Sequence, residues 1–259
     1  MTLRSVLATL ALVCAFASPL AAQQPLRYRD YQDAMRASMR LDHVTTIDSM
    51  EDEAGPYVVI GDRFGLVHCF RLTDGVSDKV WTSKPLNGAV QEVFSHDLDG
   101  DGADEVIAWT SAGAVYVWSS PDMRLRWESL VNDFVQIHSA AVGQVDEDPA
   151  FEVVINAERH IHYVDGATFN REWTSPMEYE AARMVIGDVD GDGDQELVLA
   201  TGQVVDPRSG DVEWEDEVFG TRVELMDMDG DGILEILTES DGALLKVFDV
   251  DARREKRLQ

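Results

Sequence analysis

The segment Asp188–Glu196, with the sequence DVDGDGDQE, runs directly into the apolar stretch Leu197–Ala200. The same pattern, Asp-x-Asp-Gly-Asp-Gly-x-x-Glu, occurs at Asp97–Glu105 and at Asp227–Glu235, and apolar residues again follow it. Carboxylates at positions 1, 3, 5 and 9 of such a loop can converge on one hard cation, and the glycine at position 6 permits the sharp turn that they need. Three copies of the pattern therefore predict calcium sites.

The residues after the loops argue against the helix-loop-helix type of calcium site. That site has a bidentate Glu at position 12, where this chain has Ala108, Leu199 and Thr238. Each loop is followed instead by a short run of β-branched and bulky apolar residues, which is typical of a strand and too short for a helix. The loops are therefore expected to join β-strands.

The loops also mark a sequence repeat. A damaged copy begins at Gln144, with Pro149 in place of the turn glycine, and a looser copy begins at Asp48, so position 1 recurs at residues 48, 97, 144, 188 and 227. Further strand-like segments follow each loop, and in four repeats they end in a tryptophan, namely Trp81, Trp127, Trp173 and Trp214. Each unit has the length and pattern of one four-stranded propeller blade.

The loops and the strands after them resemble FG-GAP (VCBS-type) repeats, the calcium-binding blades of integrin α-subunit propellers. The best match is the fifth unit, where Phe219-Gly220 precedes Asp227, while the second half of each unit resembles the PQQ-type propeller repeat. The resemblance covers about residues 43 to 252, although the Gly-Ala-Pro element of the family is absent. It implies an all-β fold, a β-propeller of about five four-stranded antiparallel blades. An open arc, or an arc completed by oligomerisation, is the alternative to a closed ring of five.

By this resemblance, positions 1, 3, 5 and 9 of the three intact loops are calcium ligands, and position 7 adds its backbone carbonyl. The implied ligands, for about three Ca²⁺ ions, are Asp97, Asp99, Asp101, Ala103, Glu105, Asp188, Asp190, Asp192, Asp194, Glu196, Asp227, Asp229, Asp231, Ile233 and Glu235. The damaged third loop is expected to bind weakly or not at all, because Pro149 cannot adopt a positive φ. The first loop, with Met50 at position 3 and Pro56 at position 9, is expected to be empty. Calcium is expected to stabilise the blades and not to take part in chemistry.

Residues 1–22 have the features of a secretory signal peptide: Arg4, an apolar run from Val6 to Ala17, and small residues before Gln23. They predict export to the periplasm, the cell surface or the extracellular space. The apolar run is too short for a comfortable membrane span, so no transmembrane segment is predicted. Lipidation at Cys14 is the alternative interpretation.

The residues after the signal divide into two parts. In residues 23–42, Tyr28, Tyr31, Met35 and Met39 recur at helical spacing, which predicts a short amphipathic helix. This helix is expected to cap the propeller, dock a partner or stay loose. No linker divides the remaining residues, 43–259, so they are expected to form one propeller domain.

The composition narrows the choice of function. A formal net charge of −28 makes nucleic acid and anionic membranes poor partners. Cys69 is the only cysteine after the signal, so it is expected to be a small buried side chain and no intramolecular disulfide is possible. The sequence has no nucleophile elbow, zinc-protease motif, phosphate loop or Cys-x-x-Cys pair. His160 and His162 could bind a transition metal or form a plain surface strand pair. The recurring tryptophans could pack blades or stack on sugars.

These observations favour a secreted, calcium-binding propeller that acts as a non-catalytic binding, adhesion or scaffold module for a protein or glycan partner. Two alternatives stay open: a polysaccharide lyase or hydrolase built on a propeller, and a subunit of an envelope assembly. Fold alone does not decide among them, because one fold hosts many functions.

Overall fold

The structure is a computed structural model that describes residues 43–52, 55–73, 76–146, 148–216, 219–220, 222–240, 244–250 and 254–256. The predicted signal at 1–22 and the predicted helix within 23–42 lie outside the described residues. Within the described part of the chain, no helix has the length and apolar character that a membrane crossing requires.

The described residues form twenty β-strands, which we assign to five blades of four. Blade 1 contains β1 (Val44–Asp52), β2 (Gly55–Asp62), β3 (Val67–Thr73) and β4 (Val76–Thr82). Blade 2 contains β5 (Val90–His96), β6 (Glu105–Thr110), β7 (Val115–Ser119) and β8 (Arg124–Glu128). Blade 3 contains β9 (Ile137–Gly143), β10 (Glu152–Ala157), β11 (His160–Asp165) and β12 (Arg171–Thr174). Blade 4 contains β13 (Met184–Gly187), β14 (Glu196–Leu199), β15 (Gln203–Val205) and β16 (Val212–Glu215). Blade 5 contains β17 (Val223–Met226), β18 (Glu235–Ser240), β19 (Leu244–Asp249) and β20 (Arg254–Lys256).

Each blade is an antiparallel meander in which the strands pair in sequence order. The prediction of an all-β fold with five four-stranded antiparallel sheets is therefore confirmed. The first strands of all five blades line one central cavity of about 320 Å³, with Asp48 of β1, Ser95 of β5, Ala141 of β9, Val185 of β13 and Leu225 of β17 among the lining residues. The blades are thus arranged around a common centre.

The hydrophobic core lies between consecutive blades. In β6 all six residues are buried. Successive side chains of a strand point to opposite faces of the sheet, so both faces of this strand are covered. Val106 and Ala108 pack in a cluster with blade 1, whereas Ile107 packs in a cluster with blade 3. Similar clusters join blade 3 to blade 4 and blade 4 to blade 5. Continuous apolar runs in the middle strands therefore reflect burial on both faces.

The tryptophans that end the blades pack against aromatic rings. The Trp81 ring lies 5.6 Å from that of Trp118 in blade 2, and Trp127 stacks at 5.5 Å on Phe169 of blade 3. These contacts agree with the blade-packing interpretation. Cys69 is buried in the cluster between blades 1 and 2, as the sequence predicts.

The meander gives the molecule two different ends. The turn between the first and second strands of every blade lies at one end, which we call the loop end. Because antiparallel strands alternate in direction, the turns between second and third strands and the linkers between blades lie at the opposite end, which we call the linker end.

Candidate metal centres

The three intact loops join the first and second strands of blades 2, 4 and 5 at the loop end. Their position-6 glycines, Gly102, Gly193 and Gly232, have φ values of 90°, 96° and 95°. A Cβ at any of these glycines would meet nothing within 4 Å, so the positive φ, and not a lack of space, requires glycine there. The position-4 glycines also have positive φ, at 72°, 81° and 82° for Gly100, Gly191 and Gly230.

Hydrogen bonds inside the loops orient the first and third carboxylates. At position 1, Asp97, Asp188 and Asp227 accept the N–H of the position-6 glycine at 2.9, 3.1 and 3.2 Å. At position 5, the aspartate accepts the N–H of position 7 at 2.9 Å in all three loops. The backbone therefore holds these carboxylates within the loop.

Each intact loop brings carboxylate oxygens of three acids within 4.8 Å of one another. The three groups are Asp97, Asp99 and Asp101; Asp188, Asp190 and Glu196; and Asp227, Asp229 and Asp231. These hard oxygen donors fit calcium, which takes six to eight oxygen ligands. The fourth predicted acid of each loop, namely Glu105, Asp192 or Glu235, is not part of its group. At position 7, the Asp194 side chain is bound by Arg208 at 2.8 and 2.9 Å.

The glutamate at position 9 closes each loop. Its Oε2 atom accepts the N–H of position 2, at 3.1 Å for Glu105, 2.9 Å for Glu196 and 2.7 Å for Glu235. All three glutamates are buried. The sequence predicts these residues only as ligands, but the structure shows that one carboxylate oxygen already has a structural role. A cation would be held through the other oxygen.

In blade 2 an arginine reaches this second oxygen. Arg126 of β8 donates to Glu105 Oε1 at 2.8 Å and to Asp99 Oδ2 at 2.7 Å. The guanidinium therefore brings a positive charge into a loop whose own predicted side-chain ligands are four acids. Arg126 was not identified from the sequence as a residue of the loop. The available signal was the charge of the residue immediately before each blade tryptophan. That residue is Arg126 in blade 2, Glu172 in blade 3 and Glu213 in blade 4.

Neighbouring loops are linked across the blade boundaries. The N–H of Phe151, in the blade 3 loop, donates to the Leu98 carbonyl in the blade 2 loop at 2.8 Å. Leu234 of the blade 5 loop donates to the Asp188 carbonyl at 3.1 Å, and Gln144 donates to the Gln195 side chain at 2.9 Å. The conformation of one loop therefore depends, through these hydrogen bonds, on the conformation of the loop in the neighbouring blade.

The first repeat forms a hairpin in place of a cation loop. Met50 pairs with Tyr57 and Glu51 with Pro56 in the β1–β2 ladder. Asp48 accepts the N–H and the hydroxyl of Ser95 in blade 2, at 2.7 and 2.8 Å. The first carboxylate of this repeat thus joins two blades.

The two histidines of β11 lie within hydrogen-bond distance of atoms at the end of β12. His160 Nδ1 lies 2.9 Å from the Ser175 carbonyl, and His162 Nδ1 lies 2.9 Å from the Thr174 hydroxyl. Among the residues that the structure describes, no cluster of three metal-ligating side chains includes a histidine. The geometry favours the interpretation as a strand pair, but His162 is buried, so the prediction of a surface position is wrong for that residue.

Burial of the Glu196 carboxyl raises its pKa to about 8 in the metal-free protein, from an ordinary value of 4.5. Because the folded-state pKa is raised, this group stabilises the fold most at low pH, and that contribution is lost as pH rises through 8. We therefore expect calcium-free protein to melt at a higher temperature at pH 6 than at pH 8.5. Glu196→Gln should reduce this difference, as melting curves at both pH values will show. An unchanged difference in that variant would contradict the assignment.

Comparisons with known proteins define the class. No protein-family model matches the chain, and no curated protein matches it. The WD40 domain of Pan2 from Neurospora crassa is similar in structure, with a TM-score of 0.60 and 12% identity over 83% of this chain and 65% of that one. A crystal structure of BBS1N in complex with ARL6DN is also similar, with a TM-score of 0.58 and 13% identity over 79% of this chain and 60% of that one.

BamB from Moraxella catarrhalis is similar at a TM-score of 0.50 and 18% identity, over 82% of this chain and 60% of that one. At these identities the likeness shows the fold alone. Together with the five blades around one cavity, it defines the chain as a β-propeller protein. The chain spans less than two thirds of the length of each of these three structures.

Proposed function

We propose that this protein is an exported, calcium-stabilised β-propeller that binds a protein partner through its linker end. The observation that carries the proposal is the contrast between the two ends. The loop end carries the acidic loops, and the linker end exposes large apolar side chains.

Five exposed apolar residues belong to the linker end. They are Phe64 in the β2–β3 turn, Leu130, Val131 and Val135 in the linker from blade 2 to blade 3, and Met177 in the linker from blade 3 to blade 4; the exposed fractions reach 75% for Leu130 and 86% for Val131. Single exposed apolar side chains are common on protein surfaces, and we infer an interaction surface because these five share one end of the propeller. This group extends over three consecutive blades.

The structural neighbours are compatible with such a role. BBS1N was solved in complex with ARL6DN, so a propeller of similar fold accommodates a protein partner. The fold alone assigns no partner to this chain. The choice of a protein over a glycan rests on the apolar character of the linker end.

The binding test compares variants with a matched control. Leu130→Asp combined with Val131→Asp should abolish capture of a partner from an envelope extract, because a charge at an apolar contact is costly to desolvate. Leu125→Asp is the control, because Leu125 is 47% exposed but lies on the outermost strand of blade 2. Equal capture by the wild type, the Leu130→Asp/Val131→Asp variant and the control would contradict a protein-binding linker end. If the same double variant still binds a glycan on a glycan array, a sugar ligand that binds elsewhere on the protein would be favoured.

Calcium is the proposed cation in the intact loops. The carboxylates, a position-7 carbonyl and water would supply the oxygens that Ca²⁺ favours, whereas Mg²⁺ gives up its water reluctantly. Calorimetric titration is therefore expected to show at least two calcium sites and weaker binding of magnesium. Equal affinity for the two ions, or fewer than two calcium sites, would contradict this assignment. An exported location, where calcium is plentiful, agrees with the predicted signal at residues 1–22.

A further inference from the structure

The damaged loop of blade 3 gathers more acidic groups than its sequence pattern suggests. Carboxylate oxygens of Asp146, Asp148 and Glu152 lie within 4.8 Å of one another. A second group with the same spacing joins Asp148 to Asp165, at the end of β11, and to Glu172 of β12. Three segments of the blade therefore contribute to one acidic site.

A buried oxygen without a partner points to a missing ligand at this site. Glu152 is fully buried, and its Oε2 accepts the N–H of Val145 at 2.9 Å. Its Oε1 has no hydrogen-bond partner among the described residues, and neither has the buried Oε1 of Gln144 at position 1 of the loop. Leaving a buried carboxylate oxygen unpaired is unfavourable, so a group that binds it would stabilise the site.

The outermost strand distinguishes blade 3 from blade 2. Trp127 pairs with Val117 and Trp173 with Tyr163, so the residues before them occupy equivalent positions. In blade 2 this residue is Arg126, which pairs with Asp99 and Glu105 of the loop. In blade 3 it is Glu172, which adds negative charge. Within the described part of the chain, no Lys or Arg forms an ion pair with any of the five acids.

The loss of the turn glycine does not prevent the loop from closing. Asp146 accepts the N–H of Asp148 at 2.7 Å, and Asp148 accepts the N–H of Ala150 at 2.7 Å. The Phe151 N–H bonds to the Leu98 carbonyl of blade 2. The blade 3 loop thus forms hydrogen bonds that the intact loops also have, and it does so without the turn glycine.

We propose that blade 3 binds a calcium ion through Asp146, Asp148 and Glu152, supported by Asp165 and Glu172. All the donors are hard oxygens from three segments of one blade, which suits the large and flexible coordination shell of calcium. The sequence predicts a weak or empty site because the loop itself contains only three of the acids and lacks the turn glycine. The other two acids, Asp165 and Glu172, come from β11 and β12 and reach the same place only in the folded blade.

Calcium titration calorimetry of the full chain tests the proposal. Glu172→Gln removes an exposed ligand charge and should weaken one site by about tenfold or more, and Asp148→Asn should remove that site. Glu215→Gln, an exposed acid on the outermost strand of blade 4, is the control and should leave every site unchanged. Titrations of Glu172→Gln and Asp148→Asn that match wild type would overturn the proposal.

Melting without calcium separates a lost ligand from a damaged fold. Both substitutions remove one charge from a repelling cluster, so in EGTA the two variants should melt at or above the wild-type temperature. A lower melting temperature in EGTA for both variants would show that these acids support the fold itself and would overturn the proposal. The intact loops are followed separately with Asp190→Ala. If Asp190→Ala loses its own site but keeps the site that contains Asp148, calcium binding is not confined to the intact loops.

Discussion

Removal of calcium with EGTA is expected to lower the melting temperature of this protein by roughly 5–10 °C for each site that is filled. A ligand that binds only the folded state stabilises it by about 2.7 kcal/mol when its concentration is a hundredfold above the dissociation constant. In a chain of this size, 1 kcal/mol shifts the melting temperature by about 2–4 °C. Several sites together therefore approach the stability of a whole domain, about 5–15 kcal/mol.

The geometry explains why the effect should be large. Asp188, Asp190 and Glu196 place carboxylate oxygens within 4.8 Å of one another, so an empty loop keeps the charges of the two aspartates close together. The blade 5 loop bonds to the Asp188 carbonyl, so disorder in one loop weakens the contact with the next blade. Calcium in these loops would stabilise both the blade and its boundary.

Calorimetric melting in calcium, in magnesium and in EGTA measures the effect. Asp190→Ala should remove part of the calcium-dependent shift, whereas Asp216→Ala, an exposed acid outside the loops, should leave it intact. If EGTA leaves the melting curve unchanged and yet abolishes partner binding, calcium has a functional role and not a structural one.

The strands and loops were predictable because their signals are local. The repeat of Asp-x-Asp-Gly-Asp-Gly-x-x-Glu located the β5–β6, β13–β14 and β17–β18 turns, and the apolar runs located the buried middle strands. Glycine at position 6 followed from the turn, and its φ agrees. The positive φ at position 4 was not anticipated, although glycine stands there in all three loops.

The site residues from other strands could not be found in the same way. Arg126 lies more than twenty residues from Asp99 and Glu105, and Glu172 lies more than twenty residues from Asp148, so only the pairing of the outermost strands brings them to the loops. The hydrogen bond from the Val189 N–H to Glu196 could not be predicted either. A glutamate at this position suits a cation ligand and a loop-closing acceptor equally well, so the residue type does not distinguish the two roles. Long-range pairing therefore decides the charge of each loop.

The second large effect is expected from substitution of Arg183, which lines the central cavity. Arg183, just before β13 of blade 4, forms ion pairs with Glu92 of blade 2 and, at 3.2 Å, with Glu224 of blade 5. Glu92 is the more buried acid, with 16% of its side chain exposed against 69% for Glu224. Trp109 donates its indole N–H to Glu92 at 3.4 Å. One guanidinium thus connects three blades at the linker end.

Arg183→Ala is expected to lower the free energy of unfolding by about 2–4 kcal/mol, somewhat less than the loss of one partner from a fully buried pair. Burial already raises the pKa of Glu92, and Arg183 opposes that shift. Without the arginine, the Glu92 pKa should rise further. Because a raised folded-state pKa stabilises most at low pH, the loss should be smaller at pH 5 than at pH 7.5.

Urea unfolding at the two pH values checks this, with Arg208→Ala as the matched control. Arg208 pairs with Asp194 within blade 4, and both side chains are about half exposed. An exposed ion pair contributes about 0–1 kcal/mol, so this control should change stability little and without marked pH dependence. Equal effects of the two arginine substitutions would mean that the central ion pairs do not hold the blades together. A loss confined to Arg183→Ala would instead make that side chain a link across the centre of the propeller.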